Sequence, residues 1–325
     1  MRVLITGANG FVGTVLCRSL IKKSHSVRCV VRERREYLNF SKDVDIYSVG
    51  EIGPSTIWAE ALRDIDIIVH LASRVHVMKD ESLSPLDEYR RVNTEGTKRL
   101  AFMAALAGIQ RLVYVSTVKV NGEFTHEQPF NEDDTPNPLD PYGISKWEAE
   151  VALRHISSEK GLQVTVIRPP LVYGPEVKAN FLQLLDMVNK NIPLPLLLVN
   201  NKRSMIYIEN LVDAIIKCIE HPKAANQTFL VSDGQDISTP DLIKMIAKAM
   251  GKKPRLLPVP SVALKVLGRI TGKQSEVERL IGNLQIDSSK IRNTLDWKPS
   301  FTVEEGISET VKWYINTYEK SGGRG

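Results

Sequence analysis

The stretch DPYGISKWEAE, residues 140–150, sets Tyr142 and Lys146 four positions apart. Asp140 is a residue type that caps a helix and Pro141 suits its first position, so the pattern predicts a helix with the phenol and the ammonium on one face. An ammonium beside a phenol favours the phenolate and draws the tyrosine from about 10 towards neutral pH. Such a tyrosine exchanges a proton with a substrate oxygen while a hydride moves at the same carbon. An ordinary exposed Tyr/Lys pair is the competing reading, because Y-x-x-x-K recurs by chance. It is weakened by YVSTVKVNG, residues 114–122, where an apolar run ends in Ser116 and Thr117. Hydroxyls at the carboxyl end of a core strand stand where the ligands of open α/β sheets bind.

Hydride chemistry needs a carrier. TGANGFVG, residues 6–13, puts Gly7, Gly10 and Gly13 between an apolar strand and an amphipathic run. Glycines there allow a tight turn and close approach to a pyrophosphate, and the helix N-terminus offers unpaired N–H groups to it. A nicotinamide dinucleotide is the predicted cofactor. NAD sites then place a carboxylate for the ribose hydroxyls at the end of the second strand. Here RCVVRERRE, residues 28–36, has Val31 at that position, then Arg32, Arg34 and Arg35. An arginine pairs with a 2′-phosphate at about 1.5–3 kcal/mol. Arg32 and Arg35 therefore favour NADP(H). NAD(H) stays open, since Glu33 or Glu36 would serve if turned inward and RERRE also reads as a solvated helix start. No metal is expected: the six histidines include no H-x-H or H-x-x-x-H.

The elements that would position these groups follow from patterning. Apolar runs at 2–5, 26–31, 66–72, 111–117 and 163–169 carry β-branched residues and alternate with stretches of helical periodicity, such as Val12, Val15, Leu16 and Leu20. Continuously apolar strands, each followed by a helix, predict an α/β fold with a Rossmann-type doubly wound parallel sheet. After about residue 172 prolines punctuate the chain. Residues 1–172 read as the dinucleotide-binding domain, with returning segments near 204–220 and 284–290, and residues 173–325 as a smaller C-terminal substrate-binding lobe. The 325 residues, 42% hydrophobic, suffice for such a core. The 43 basic and 38 acidic residues read as spread along the whole length, which points away from nucleic acid. Cys17, Cys29 and Cys218 show no metal spacing and read as reduced thiols of a cytoplasmic protein. No apolar run reaches the ~18 residues of a membrane span.

The G-x-x-G-x-x-G spacing, HLAS (70–73), VNTEGT (92–97), VST (115–117) and YGISK (142–146) occur in the order seen in extended short-chain dehydrogenases/reductases. The chain resembles the NAD-dependent epimerase/dehydratase family, in its UDP-glucose 4-epimerase-like branch. The resemblance implies Thr117, Tyr142 and Lys146 as catalytic. It implies a cofactor site of Gly7, Asn9, Gly10, Phe11, Val12, Gly13, Arg32, Arg35, Glu51, Ile52, Leu71, Ala72, Ser73, Asn93, Ser116, Tyr142, Lys146 and Pro169. For a UDP-sugar it implies Arg74, Thr117, Val118, Lys119, Tyr142, Asn180, Phe181, Arg203 and Arg279, the two last as diphosphate ligands. RPPLVYGP (168–175) departs from the R-x-F-N of many UDP-hexose epimerases, leaving Pro170 and Leu171 where an asparagine touches the sugar.

The resemblance is greatest to bacterial O-antigen and capsule enzymes that reduce a UDP-4-keto-6-deoxy-N-acetylhexosamine at C4. The arginines agree, because a reductase exchanges NADPH at each turnover. The first expectation is thus an NAD(P)H-dependent 4-reductase, with a 4-epimerase that retains NAD as the alternative. A lipid-diphosphate-linked sugar would bring the apolar pattern VALKVLGRI (262–270) to a membrane, although a core-facing helix is the commoner explanation. A non-catalytic NADP(H) sensor is the reading from another class. By analogy with the family the chain would form a homodimer through two helices of each copy.

Overall fold

Where the sequence runs continuously apolar, it forms the inner strands of a parallel sheet. The structure is a computed structural model that describes residues 1–33, 44–75 and 84–319. In chain order it contains β1 (Arg2–Thr6), α1 (Phe11–Lys22), β2 (Ser26–Val31), β3 (Asp45–Ser48) and β4 (Ile67–His70). Next come α2 (Pro85–Tyr89), a π-helical turn (Arg90–Glu95), α3 (Gly96–Leu106), β5 (Arg111–Val115), α4 (Pro141–Lys160) and β6 (Gln163–Arg168). The second half adds β7 (Leu171–Tyr173), α5 (Ala179–Asn189), β8 (Met205–Tyr207), α6 (Ile208–Glu220) and β9 (Thr228–Leu230). Five helices close the chain: α7 (Thr239–Ala249), α8 (Ser261–Ile270), α9 (Gln274–Ile281), α10 (Ser289–Leu295) and α11 (Val303–Tyr314).

Seven strands lie in the order β3-β2-β1-β4-β5-β6-β9, every pair parallel. Alternate residues of β1 explain the double winding. Val3 and Ile5 face a core shared with Leu16 and Leu20 of α1 and Leu211 and Ile215 of α6. Leu4 faces the opposite core, with Leu100 of α3 and Leu153 of α4. Both faces are covered, so these strands read as unbroken apolar runs rather than alternating ones. Periodicity finds the five inner strands but overlooks β3 and β9, which are four and three residues long. It also runs strands too far: β4 ends at His70, β5 at Val115 and β6 at Arg168, and Leu71, Ala72, Ser116 and Thr117 beyond the first two lie at the carboxyl end of the sheet.

β8 pairs with β7 in a separate two-stranded sheet, while α6 after it packs into the first core. A third core joins Tyr173, Phe181, Leu185, Tyr207, Ile243, Ile246 and Val311. The segment at 284–286 clusters with Val118 and Leu230. Among the described residues no helix is long and apolar enough to cross a membrane.

Candidate active site

The glycine turn is held by contacts that admit no side chain. Gly7 has φ +66°, and a Cβ on it would lie 2.8 Å from the Ala72 nitrogen. A Cβ on Gly13 would lie 2.2 Å from the Gly7 carbonyl oxygen, inside any tolerable contact. Helix α1 can therefore start directly behind the turn. Its N-cap, Gly10, makes no side-chain cap, and its first turn carries no acidic residue. The N–H groups of that turn and the positive end of the helix dipole suit a pyrophosphate.

This turn forms one end of a cleft of about 740 Å³. Of the expected cofactor residues, Gly7, Asn9, Gly10, Phe11, Val12, Gly13, Arg32, Glu51, Ile52, Leu71, Ala72, Ser73, Ser116, Tyr142, Lys146 and Pro169 line it. Arg35 lies outside the described residues. Asn93 is not on the wall but buried behind it. Its carboxamide accepts from the Arg74 amide (2.8 Å) and the Ser73 hydroxyl (3.1 Å), and donates to the Ser145 hydroxyl (3.0 Å). It ties the loop after β4 to the helix that carries Tyr142.

That helix, α4, begins as its sequence predicts. Asp140 accepts from the Gly143 amide at 2.7 Å, Pro141 stands in the first turn, and Gly161 closes the C-terminus at φ 74°. Tyr142, Lys146 and Thr117 all line the cleft. Lys146 is 1% exposed. Its ammonium donates to the Val115 carbonyl oxygen at 2.8 Å and sits 4.0 Å from the centre of the Tyr114 ring. Burial pulls this lysine down to about 7, and the Glu150 carboxylate only partly opposes it.

The electrostatics differ from the sequence expectation at Tyr142. Instead of falling towards neutral, its phenol is pushed up to about 12, mainly by burial, with a hydrogen bond between it and Ser73 acting the other way. Desolvation of a phenolate outweighs attraction to a lysine that burial has itself brought close to neutrality. Ser116 is committed elsewhere: its hydroxyl donates to Glu150 at 2.6 Å. Thr117 accepts from the Lys119 amide at 3.3 Å, which leaves its own hydroxyl proton for a ligand.

At the expected substrate end the residues divide. Arg74 lines the cleft, and its guanidinium lies 5.6 Å from the centre of the Tyr89 ring. Val118 does not line it and is packed in the small cluster with Leu230, Leu284 and Ile286. Lys119 is drawn to Asp140 and to Glu123 (3.4 Å). Asn180 is exposed, outside the cleft lining. Phe181 is core: its ring stacks on Tyr173 at 5.6 Å, because an apolar side chain beside α5's buried face gains more there than in water. Arg203 and Arg279 are brought together, the first donating to the Arg279 carbonyl oxygen at 2.7 Å. Burial and the Arg279 charge both lower the Arg203 pKa. Arg279 pairs with Glu123 at 3.1 Å.

Several site residues have no clear mark in the sequence. Arg91 and Lys178 line the cleft beside Glu51 and Val172, and Arg91 pairs with Glu51 at 3.3 Å. Behind the catalytic strand, Arg168 and Glu150 form a fully buried ion pair at 2.6 Å that also holds Asn121 and Ser116. His70, which opens the HLAS segment, is buried between Thr6 (2.6 Å) and Thr97 (2.9 Å). Burial and Lys146 hold it neutral, down to about 3. Among the described residues no cluster of His, Cys, Asp or Glu could hold a metal ion.

A family profile described as "NAD dependent epimerase/dehydratase family" matches residues 3–232. The UDP-glucose 4-epimerase of Vibrio cholerae is 44% identical over 316 residues, 96% of this chain and 95% of the relative. An Escherichia coli O157:H7 enzyme, N-acetyl-alpha-D-glucosaminyl-diphospho-ditrans,octacis-undecaprenol 4-epimerase, is 25% identical over 96% of this chain and 94% of its own length. Among solved structures, a UDP-glucose 4-epimerase from Thermotoga maritima with UDP-glucose superposes with TM-score 0.78 at 23% identity, covering 98% of this chain and 99% of that one. A UDP-glucuronic acid 4-epimerase from Bacillus cereus in complex with NAD gives 0.80 at 21%, covering 98% of each. Both have the same fold as this chain.

Proposed function

Because the chain belongs to the NAD dependent epimerase/dehydratase family, we propose that it acts at C4 of a UDP-linked hexose, and that the reaction is 4-epimerisation with a retained NAD. The observation that carries this reading is the meeting of Thr117, Tyr142 and Lys146 with the glycine turn on one cleft. The similarity to the Vibrio cholerae enzyme supports the choice of sugar nucleotide.

When bound, the nicotinamide supplies a hydride acceptor for the sugar carbon. The chain supplies the rest. The turn at Gly7, Gly10 and Gly13 holds the pyrophosphate. Thr117 donates a hydrogen bond to the C4 oxygen and fixes it towards Tyr142, whose phenolic oxygen takes the C4 hydroxyl proton and later returns it. Lys146, brought near neutrality by burial, becomes fully charged as Tyr142 loses its proton, since each ion then stabilises the other. Arg203 and Arg279 bind the diphosphate once the ligand's charge replaces Glu123 at Arg279. Phe102 and Leu106 on α3 and Val151 on α4 are exposed apolar residues, which supports a homodimer through those helices.

A second reading rests on Arg32, which lines the cleft where β2 ends without a carboxylate. It favours NADP(H), and with it reduction of a UDP-4-keto-6-deoxy-N-acetylhexosamine. The deciding experiment denatures freshly purified protein, identifies the nicotinamide released, and incubates native protein with UDP-glucose. Near-stoichiometric NAD with appearance of UDP-galactose supports the epimerase. An empty site or released NADP(H), with NADPH consumed on a 4-keto UDP-sugar, replaces it by the reductase.

A further inference from the structure

The positive surplus of this chain is not spread along its length, contrary to what its totals suggest. Between Asp241 and Glu276 stand eight lysines and arginines and no carboxylate. Taking those eight from the 43 basic residues leaves 35 against 38 acidic ones, so the rest of the chain is net negative. The cationic stretch includes α8, the helix for which a core-facing role was the commoner expectation. In the structure α8 buries only Leu264 and Gly268. Gly268 packs so tightly on α9 that a Cβ there would lie 2.9 Å from Val277.

The remaining apolar residues of α8 face outward. Val262, Val266 and Ile270 recur every fourth residue, with exposures of 73%, 50% and 77%, and Leu267 beside them is 56% exposed. At helical spacing Lys265 and Arg269 fall on the flank of this stripe. Leu257, just before the helix, is also exposed, and its carbonyl oxygen accepts from the amide of the exposed Leu197 at 3.1 Å. A continuous apolar stripe of this kind exceeds the scattered exposed residues of an ordinary surface. Pairing it with a second copy of the chain would bring the cationic stretches of both copies together. An anionic lipid surface would neutralise them instead.

We propose that α8 is a docking element that lays Val262, Val266, Leu267 and Ile270 into the headgroup boundary of an anionic bilayer, with Lys265 and Arg269 reaching its phosphates. The helix packed behind it, α9, carries Arg279. Docking would therefore set the arginine end of the substrate site beside the lipid surface, where a polyprenyl diphosphate-linked sugar presents its diphosphate. The surface itself does not depend on the reaction proposed above.

The test is co-sedimentation of the full-length protein with vesicles of phosphatidylcholine alone or mixed with phosphatidylglycerol. The native chain is expected to pellet with the mixed vesicles and to be released by salt. The double variant Val262→Glu/Ile270→Glu should partition at least about tenfold less, and Lys265→Ala and Arg269→Ala about fivefold less for each cation removed. Unchanged far-ultraviolet dichroism and turnover in solution by the Glu variant control for folding. Failure to pellet with either vesicle, or equal binding to both, overturns the proposal. So does self-association in sedimentation velocity that the Glu variant abolishes, which would make the stripe an interface between copies. The vesicle and sedimentation readouts do not use turnover, and dichroism alone can control for folding, so an error in the epimerase reading would leave the vesicle result standing.

Discussion

Replacing Lys146 by methionine should remove a stabilisation that the folded chain gains at alkaline pH, even as it destroys the enzyme. Lys146 is 1% exposed, and burial lowers it from its ordinary 10.5 to about 7. Between those values the unfolded chain carries a proton that the folded chain has shed. Unfolding then takes up a proton, so the native chain gains stability as pH rises from about 7 to 10.5 and loses it as pH falls back. Each pH unit inside that window is worth about 1.4 kcal/mol. From pH 7.5 to 9.5 the lysine alone should therefore add about 2.5 kcal/mol to native stability. Methionine keeps the length of the side chain, fills the space over the Tyr114 ring, and has nothing to titrate. Urea unfolding of cofactor-stripped native protein and Lys146→Met at both pH values isolates the effect, because every other titrating group is common to the pair. The stability difference between them should shift by about 2.5 kcal/mol in favour of the native chain at the higher pH. Parallel curves, with the same difference at pH 7.5 and 9.5, would refute the claim that burial sets the charge of this lysine.

Three further substitutions probe other parts of the site. Tyr142→Phe should lower kcat by about 10²–10⁴-fold while NAD binding, read by titration calorimetry, stays unchanged; undiminished turnover would remove Tyr142 from the mechanism. Gly13→Ala puts a methyl group 2.2 Å from the Gly7 oxygen, so the turn or α1 must move. We expect a loss of about 1–3 kcal/mol in urea unfolding and of NAD binding in the same calorimeter. Arg168→Met takes from the fully buried Glu150 the closer of its two arginines, leaving Arg154 at 3.5 Å. It should cost about 3–5 kcal/mol, and Glu150→Leu added to it should recover most of that; equal stability of the single and double variants would show that the pair is not coupled.

What was legible in the sequence was whatever is enforced locally. The glycine turn is readable because its geometry tolerates no side chain at Gly7 or Gly13, and the start of α4 because Asp140 and Pro141 are chemically specific. The inner strands β1, β2, β4, β5 and β6 are readable because burial on both faces leaves them no polar alternation. At the ends of the sheet this logic weakens: β3 is DIYS, with two exposed positions, and β9 has only three residues. Side-chain partners from distant segments were not readable at all. The motif gave Arg279 as a cation, but its carboxylate partner Glu123 lies 156 positions away. The sign of the shift at Tyr142 also depends on packing, which Y-x-x-x-K does not encode. Phe181 occupies a ligand-like motif position and yet serves the core, because a sequence pattern cannot say on which side of α5 the buried layer lies.

The adenosine end of the cleft illustrates the same limit in electrostatics. Along the chain, β2 ends at Val31 with no carboxylate, and the RERRE that follows sets three arginines against Glu33 and Glu36, which favours a 2′-phosphate. In space the end of β2 lies beside the segment after β3, since the Val49 amide donates to the Val31 carbonyl oxygen at 3.2 Å. Two residues on, Glu51 contributes a carboxylate to the same cleft wall as Arg32. Arg91 reaches it from the π-helical turn before α3. A 2′-phosphate entering there would gain from Arg32 and be repelled by Glu51, while Arg91 offsets part of that repulsion. Among the described residues the charges here are Arg32, Glu51 and Arg91, from three segments, and of these Arg32 belongs to the run that suggested NADP(H). That is the physical reason to place retained NAD first. The carboxylate missing from the end of β2 returns to this end of the cleft by way of β3.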